Sequence, residues 1–225
     1  MKPRILIENL SKTWQTVTSG QTAVNDVSFT IEPGEFVCII GKSGCGKSTL
    51  LNLISGQIIP DCGKIEIDGE LMTGISQRKR TALRRMKIAS IPQFFSLIPE
   101  LTVQENLDLS TMITGPGIDA VRKEKLLKDL GLVDCINKYP HQLSGGQQQH
   151  AAIARAMIGH PSVILADEPT GNLDRISSQT VMRLLRDMQR NNALTVLMVT
   201  HDLDLAKQAD RILYMEDGKV IPYGD

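Results

Sequence analysis

Residues 41 to 49 of the chain carry a glycine-rich pattern that can bind phosphate groups. The segment reads GKSGCGKST and fits the spacing G-x-x-x-x-G-K-[ST]; the apolar run Phe36–Ile40 precedes it and an apolar-periodic stretch follows it. In this strand–loop–helix setting the glycines let backbone N–H groups converge on phosphate oxygens, and the helix N-terminus adds partial positive charge. A glycine-rich turn without a ligand would not require these flanks. The pattern therefore predicts a site for the phosphates of a nucleoside triphosphate.

We expect the whole of this loop to bind the nucleotide. Lys47 is predicted to place its ammonium against the outer phosphates, where it also serves catalysis, and Ser48 to offer its hydroxyl to Mg²⁺. The predicted phosphate-binding residues are Gly41, Lys42, Ser43, Gly44, Cys45, Gly46, Lys47, Ser48 and Thr49.

Two adjacent carboxylates follow the predicted strand Val163–Ala166. The carboxyl end of a strand is the edge at which ligands bind in open α/β sheets, and successive side chains of a strand point to opposite sides. An acidic pair in this position often caps a helix or occupies a surface turn. Beside a phosphate loop, we instead predict that Asp167 holds Mg²⁺ and that Glu168 acts as general base on the attacking water.

The hydrophobic pattern predicts the α/β elements that position these residues. Strand-like runs come first, Gly63–Gly69 ends in an Asp-Gly hairpin signal, and strands alternate with helices again after about residue 160. Strands rich in Val, Ile and Leu that alternate with helices form mostly parallel sheets covered on both faces. The intervening segment, roughly Gln93 to Met157, is predicted to be a helical insertion. The further predicted elements are strands Ile5–Ile7, Ala23–Ile31 and Leu194–Val199 and helices Ile176–Gln189 and Leu203–Ala209.

Three helix-end signals lie in the insertion. Thr102–Glu105 is a capping box, and Gly131 is a C-terminal stop for a helix over Val121–Leu130. Ser144–Gln147 reads SGGQ, a second capping box. A structural cap does not explain its two glycines, which cost about 0.5–1 kcal/mol each in a helix. Their bare N–H groups favour an anion at this helix start.

Together these segments resemble the ATP-binding cassette (ABC) ATPases. Leu143–Gln147 is similar to their signature motif, Val163–Glu168 to the Walker B strand and Gly41–Thr49 to the Walker A loop. Gly171–Asp174 resembles the D-loop, and the motifs occur in the family's order over essentially the whole chain. The resemblance implies one domain over residues 1–225. A P-loop NTPase (RecA-like) core would cover about 1–92 and 158–225, with an N-terminal antiparallel β subdomain and an inserted α-helical subdomain at about 93–157.

The resemblance also implies roles for individual residues. Gln93 looks like the Q-loop glutamine, which contacts nucleotide and Mg²⁺, and His201 like the switch histidine, although a histidine after a strand is more often packed or capping. Trp14 is similar to the aromatic residue that stacks on adenine, an interaction worth roughly 1–3 kcal/mol, although a lone tryptophan usually serves packing. Further nucleotide contacts are implied for the signature and the D-loop, namely Ser144, Gly145, Gly146, Gln147 and Asp174.

One phosphate loop and one signature per chain imply a two-fold pair. In this family each ATP lies between the loop of one copy and the signature of the other, so an ATP-dependent homodimer satisfies both. Our leading hypothesis is the ATPase subunit of a transporter with separate membrane permease subunits. The segments LADEPTGNLD and FFSLIPELTVQENL are most similar to those of the lipoprotein-release, macrolide-export and cell-division group. Amino-acid importers, a soluble ABC mechanoenzyme and a generic P-loop NTPase or kinase are the alternatives.

Composition limits the other partners. Lys plus Arg and Asp plus Glu both number 25, and aromatic residues make up 4%, so neither charge nor stacking favours nucleic acid. The four cysteines show no C-x-x-C pairing, and the sequence has neither an evident secretory leader nor an apolar run of the ~18–20 residues that span a bilayer. We therefore expect a cytoplasmic protein, held at the cytoplasmic face of the inner membrane by its permease. Six basic residues in Gln77–Lys87 are expected to form a solvated helix face rather than a contact with the leaflet.

Two residues depart from the family pattern. His150 stands where the family usually carries arginine; we interpret it as an ordinary substitution at an exposed turn rather than a pH-sensitive element. Cys45 stands where serine or alanine is common. A thiol at a helix N-terminus beside a lysine ionises more readily than an isolated one, so we expect Cys45 to be reactive.

Alkylation of Cys45 should block nucleotide binding, because the adduct would lie in the phosphate loop. We expect N-ethylmaleimide to abolish ATP hydrolysis by the free protein and a Cys45→Ser variant to stay active. Full hydrolysis after stoichiometric alkylation of Cys45, shown by mass spectrometry, would refute this hypothesis.

Overall fold

A computed structural model describes residues 2–15, 20–114, 120–192 and 194–224. Within these ranges the chain forms ten strands and seven α-helices. The strands are β1 (Ile5–Gln15), β2 (Gly20–Ile31), β3 (Phe36–Ile40), β4 (Cys62–Ile67), β5 (Glu70–Leu71), β6 (Ile88–Ile91), β7 (Val163–Asp167), β8 (Thr195–Thr200), β9 (Arg211–Glu216) and β10 (Lys219–Pro222). The helices are α1 (Lys47–Ile54), α2 (Gln77–Lys87), α3 (Val103–Thr114), α4 (Ala120–Asp129), α5 (Gly145–Met157), α6 (Arg175–Asn192) and α7 (Leu203–Ala206).

The strands form two sheets, as the sequence predicts. The larger sheet has the order β10-β9-β3-β8-β7-β6, and all its neighbours pair in parallel except β10 with β9. The smaller sheet, β2-β1-β4-β5, is antiparallel. Asp68 and Gly69 join β4 to β5 with φ values of 53° and 72°, the left-handed conformation that an Asp-Gly hairpin requires.

The large sheet is covered on both faces because its central strands are apolar on both sides. All five residues of β3 are buried. Phe36, Cys38 and Ile40 enter one apolar cluster, whereas Val37 and Ile39 enter another. The first cluster contains residues of α3, α5 and α6, and the second contains α1 and the antiparallel sheet. Burial of each large apolar side chain contributes about 1.5–3 kcal/mol.

Within the helical segment, α3 begins and α4 ends at the capping residues that the sequence predicts. Thr102 N donates to Glu105 Oε2 at 2.7 Å and Glu105 N donates to Thr102 Oγ1 at 3.2 Å, which starts α3. Gly131, with φ 63°, donates to the carbonyl of Lys128 after α4. Two short 3₁₀ turns, Val133–Cys135 and Pro140–Gln142, lead to α5. Residues of α3, α4 and α5 share one apolar cluster with β3, β7 and β8, so the division at residues 93 and 157 stays a prediction.

Helix α2 carries the basic cluster on a solvated surface. None of its residues is buried, as the sequence suggests. Arg80 Nε and Arg84 Nη1 donate to the carbonyl oxygen of Gly56 at 3.1 and 3.4 Å, and Lys87 lies 3.7 Å from Asp68. In the part of the chain that the structure describes, no helix is both long enough and apolar enough to cross a membrane.

Candidate active site

The phosphate loop packs against the backbones of two strands, one from each sheet. A Cβ atom at Gly41 would lie 2.2 Å from the carbonyl oxygen of Met215 in β9. One at Gly46 would lie 2.0 Å from the carbonyl oxygen of Ala23 in β2, at a φ of 110° that side chains disfavour. Only glycine fits these two positions. Gly46 also precedes α1 and has no side chain with which to cap its first N–H groups, which leaves that helix end to an anion.

Lys47 is buried at the base of this loop. Its Nζ donates to the carbonyl oxygens of Gly41 at 2.6 Å and Lys42 at 2.9 Å. Cys45 Sγ lies 3.9 Å from the same nitrogen. The carbonyl contacts hold the ammonium at the loop, in the position from which it can reach the outer phosphates.

A cleft of about 580 Å³ brings together most of the predicted site residues. Two further lining residues, Gln21 and Ala23, lie on β2, and no pattern in the sequence marks them. Gly41, Lys42 and Cys45 belong to the loop but do not line the cleft. The predicted residues in its lining are Trp14, Ser43, Gly44, Gly46, Lys47, Ser48, Thr49, Gln93, Glu168 and His201.

The two carboxylates at the end of β7 have different partners. Asp167 Oδ1 accepts a hydrogen bond from Ser48 Oγ at 3.1 Å. Burial raises the pKa of Asp167 and the neighbouring Glu168 charge adds to the rise, although the Ser48 hydroxyl and the Lys47 ammonium oppose it. The Asp167 carboxyl therefore faces the loop, as the alternation of side chains predicts.

Glu168 and His201 form a contact at the edge of the sheet. His201 Nδ1 lies 2.9 Å from Glu168 Oε2, which also accepts from Thr200 Oγ1 at 3.3 Å. Glu168 has a φ of 46°, a left-handed conformation that costs a non-glycine residue about 1–2 kcal/mol. Its side chain is 13% exposed, whereas that of His201 is 69% exposed. The cleft is thus lined by a nearly buried carboxylate and its exposed histidine partner.

Gln93 and Trp14 also line the cleft. The carbonyl oxygen of Gln93 accepts from Asn172 Nδ2 at 3.0 Å, so the residue is tied to the segment after β7. Trp14 is 43% exposed, and Lys12 Nζ lies 5.4 Å from its ring centroid. Adenine stacking on Trp14 stays a prediction, and it would use the ring surface that Lys12 leaves open.

The signature residues lie outside this cleft. Ser144 and Gln147 form the predicted reciprocal cap: Gln147 N donates to Ser144 Oγ at 3.3 Å and Ser144 N to Gln147 Oε1 at 3.0 Å. A Cβ at Gly145 would lie 3.6 Å from Leu173, and one at Gly146 would lie 3.4 Å from Ser177 Oγ. The signature therefore adjoins the start of α6, and none of its residues lines the cleft of its own chain.

Asp174 acts as a helix cap. Its Oδ1 accepts from the backbone nitrogens of Ile176 and Ser177, each at 2.9 Å, and its Oδ2 accepts from Ser177 Oγ at 2.8 Å. These hydrogen bonds, the Ser177 backbone contact first, lower the pKa of Asp174. The carboxylate does not line the cleft either.

The structure corrects the interpretation of His150. The residue does not occupy an exposed turn; it lies inside α5 and is half-buried. Its Nδ1 lies 3.0 Å from the carbonyl oxygen of Leu130, and burial lowers its pKa despite this contact. No local pattern predicts this contact, because it joins α5 to the turn after α4, 20 residues away.

An Asp167→Asn variant should be more stable than the parent at pH 7. Because the pKa of Asp167 is raised in the folded chain, its stabilising contribution is present below the unfolded pKa and is lost as pH rises through the folded pKa. A neutral amide removes this penalty, so thermal unfolding at pH 7 should shift upward by roughly 2–4 °C. The difference should shrink toward pH 4. The exposed Glu70→Gln change should have no such effect, and a lower Tm for Asp167→Asn at pH 7 would contradict the assignment.

Comparison with known proteins places the chain in one family. A family model for ABC transporters matches residues 24–171. An ABC transporter ATP-binding protein of Mycobacterium tuberculosis is 41% identical over 98% of this chain and 90% of its own length. The lipoprotein-releasing system ATP-binding protein LolD of Bordetella pertussis is 36% identical, over 98% of this chain and 96% of its own. The macrolide export ATP-binding/permease protein MacB of Bartonella henselae is 40% identical over 96% of this chain, which corresponds to 33% of MacB.

Solved structures agree with this placement. A dimeric bacterial ABC transporter cassette is 37% identical, with a TM-score of 0.89 over 98% of this chain and 99% of that one. The same cassette in a dimeric post-hydrolysis state, with ADP and Pi bound, gives 36% and 0.88 over the same shares. The chain therefore belongs to the ABC transporter family, as an ATP-binding and ATP-hydrolysing cassette close to the LolD and MacB types.

Proposed function

We propose that this cassette powers the export or extraction of a lipophilic or amphipathic substrate through separate membrane-spanning subunits. The observation that carries the proposal is the division of its functional groups into two sets. One set, which includes Trp14 and His201, lines a single cleft, whereas the other set, Ser144–Gln147, lies outside it. The names of the similar proteins, lipoprotein-releasing and macrolide export, support the direction and the substrate class.

The two sets complete each other across a homodimer. A bound ATP would touch the phosphate loop of one copy and the Ser144–Gln147 helix start of its twin, each of which offers uncapped N–H groups or hydroxyls to phosphate oxygens. A two-fold arrangement gives two equal sites from one surface. The dimeric solved cassettes support this arrangement.

The residues in and beside the cleft fit a magnesium ion shared with the nucleotide. Ser48 and Gln93 line the cleft, whereas Asp167 does not; its Oδ1 lies 3.1 Å from Ser48 Oγ. Among the described residues, no group of three or more His, Cys, Asp or Glu side chains forms a metal site of protein ligands alone. Mg²⁺ is commonly bound by one or two protein oxygens together with substrate phosphates. When bound, it would neutralise charge on the phosphates.

Glu168 acts as the general base in this proposal. Its carboxylate takes a proton from the water that attacks the γ-phosphorus, the bond to the bridging oxygen breaks, and ADP and phosphate leave. An ionised carboxylate only accepts hydrogen bonds, so His201 Nδ1 carries the proton of their 2.9 Å contact. His201 lines the same cleft, and in this proposal it would donate a hydrogen bond to the γ-phosphate.

The segment after Gln93 is the proposed link to the membrane. Phe94 exposes 69% of its surface directly beside a residue of the cleft, which suits contact with a partner. The helical segment over about 93–157 would transmit motion from the ATP sites, and the core over about 1–92 and 158–225 would carry the chemistry. A permease partner would hold the cassette at the cytoplasmic face of the membrane, and the balanced charge gives no reason to expect nucleic acid.

Glu168→Gln should bind ATP normally, hydrolyse it about 10²–10⁴-fold more slowly and accumulate as a dimer with Mg-ATP. The amide cannot accept the proton, so contacts made only in the closed pair persist. Size-exclusion chromatography with multi-angle light scattering reports the dimer. Addition of Ser144→Arg should leave ATP binding intact and keep the double variant monomeric. A fully active, strictly monomeric Glu168→Gln protein would defeat the assignment.

An integral membrane protein should co-purify with the tagged cassette from detergent-solubilised membranes of its own cell. We expect mass spectrometry to identify a permease in a defined ratio to the cassette. Phe94→Ser should weaken this association and leave the ATPase rate of the free cassette unchanged. Recovery of ribosomes or nucleic acid, with no membrane protein, would contradict a role in transport.

A further inference from the structure

The segment between β6 and α3 contains Gln93 and has little regular structure of its own. Residues 92–102 contain no strand or helix. Side chains from three other parts of the chain hold this segment in place. Asn172 binds the carbonyl oxygen of Gln93, and the fully buried Asn106 binds Ile98 through both its oxygen and its nitrogen. The third is Arg155.

Arg155 lies on α5, the helix that begins at the signature, and its side chain reaches the middle of the segment. Its Nη1 donates to the carbonyl oxygen of Ser96 at 2.6 Å, across 59 positions of sequence. Ser96 has a φ of 50°, and its Oγ donates to the carbonyl oxygen of Phe94 at 2.8 Å. The guanidinium thus binds a tight turn three residues after Gln93.

The setting of Arg155 is unusual for a cation. Burial lowers its pKa, and no carboxylate among the described residues forms a salt bridge with it. A half-buried charge without an ion pair costs free energy, which a single short hydrogen bond to a backbone carbonyl offsets only in part. Packing alone would be served better by an apolar side chain at this position.

The N-terminus of α5 also lies beside this segment. A Cβ at Gly145 would lie 3.9 Å from Phe95 Cζ, so the signature glycine adjoins the residue before Ser96. Ten residues separate Gly145 from Arg155, which is about 15 Å along an α-helix. Helix α5 therefore contacts the Gln93 segment twice. Its first residue, Gly145, adjoins Phe95, and Arg155, near its C-terminus, binds Ser96.

We propose that Arg155 is a positioning residue that couples the signature helix to Gln93, so that docking of Ser144 on the partner's ATP sets the position of Gln93 in the cleft of its own chain. The inference rests on the proposed homodimer. It adds a residue that touches neither nucleotide nor metal and acts only through the Ser96 carbonyl.

A double-mutant cycle tests this coupling in the full-length protein. We would measure kcat for ATP hydrolysis, Kd for ATP and Tm in Arg155→Met, Gln93→Ala and the double variant. Arg155→Met should lower kcat about tenfold and leave Kd within about twofold, because Arg155 itself does not line the cleft. In the Gln93→Ala background the same change should have almost no further effect on kcat. Arg155→Lys, which keeps a cationic donor for Ser96, should recover at least half of the loss.

Controls separate this inference from the proposed function. Arg190→Met removes an exposed cation from the last turn of α6 and should match the parent. The coupling would be overturned if the two losses in kcat multiplied in the double variant. It would also be overturned if kcat fell only in proportion to the fraction of unfolded protein. Full kcat in Arg155→Met together with loss of activity in Glu168→Gln would also overturn it, and would leave the proposed function standing. Full activity in both would overturn the two together.

Discussion

The adjacency of three parallel strands, β3, β8 and β7, is the constraint on which the active site depends. Their register pairs Ile40 with Thr200 and Asp167 with Val199, so all three strands end at one edge of the sheet. The phosphate loop, Glu168 and His201 each follow one of these strands directly. Ser48 and Asp167, 119 positions apart in sequence, thereby meet within hydrogen-bond distance without a long side chain having to span the gap. The buried strands supply the free energy, and the site inherits its geometry from their pairing.

The active site stores some of that free energy as local strain. Glu168 adopts a left-handed backbone conformation, and Asp167 is a carboxyl whose pKa is raised by burial. Both are unfavourable in the folded chain by themselves, and both become useful when phosphates and a cation share the cleft. The glycines of the loop carry a similar cost: they contribute no side-chain packing, but they let the backbones of two strands lie directly against the loop. Stability is traded here for a site that is already arranged for its ligand.

The sequence predicted local features well and contacts between distant segments poorly. Both capping boxes, the Asp-Gly hairpin and the mostly parallel sheet follow from short patterns whose physics is contained within a few residues. The contact between Arg155 and Ser96, the burial of His150 and the place of Gln21 in the cleft depend on how helices and strands pack, which no short window contains. Strand β1 also extends to Gln15, well beyond the predicted Ile5–Ile7, because pairing with β2 overrides its polar residues. Fold and chemistry were thus accessible from the sequence, whereas the connections between parts of the site were not.

The signature lies outside the cleft of its own chain, and in the proposed homodimer the twin supplies it. The proposed function therefore depends on one distance between two copies. A structure of the Glu168→Gln protein with Mg-ATP measures it directly. We expect Ser144 Oγ of each copy to lie about 3 Å from a γ-phosphate oxygen of the ATP held by the other copy's Lys47. An ATP-bound protein in which Ser144 lies more than about 10 Å from every phosphate, beyond any bridging water, would contradict the central claim.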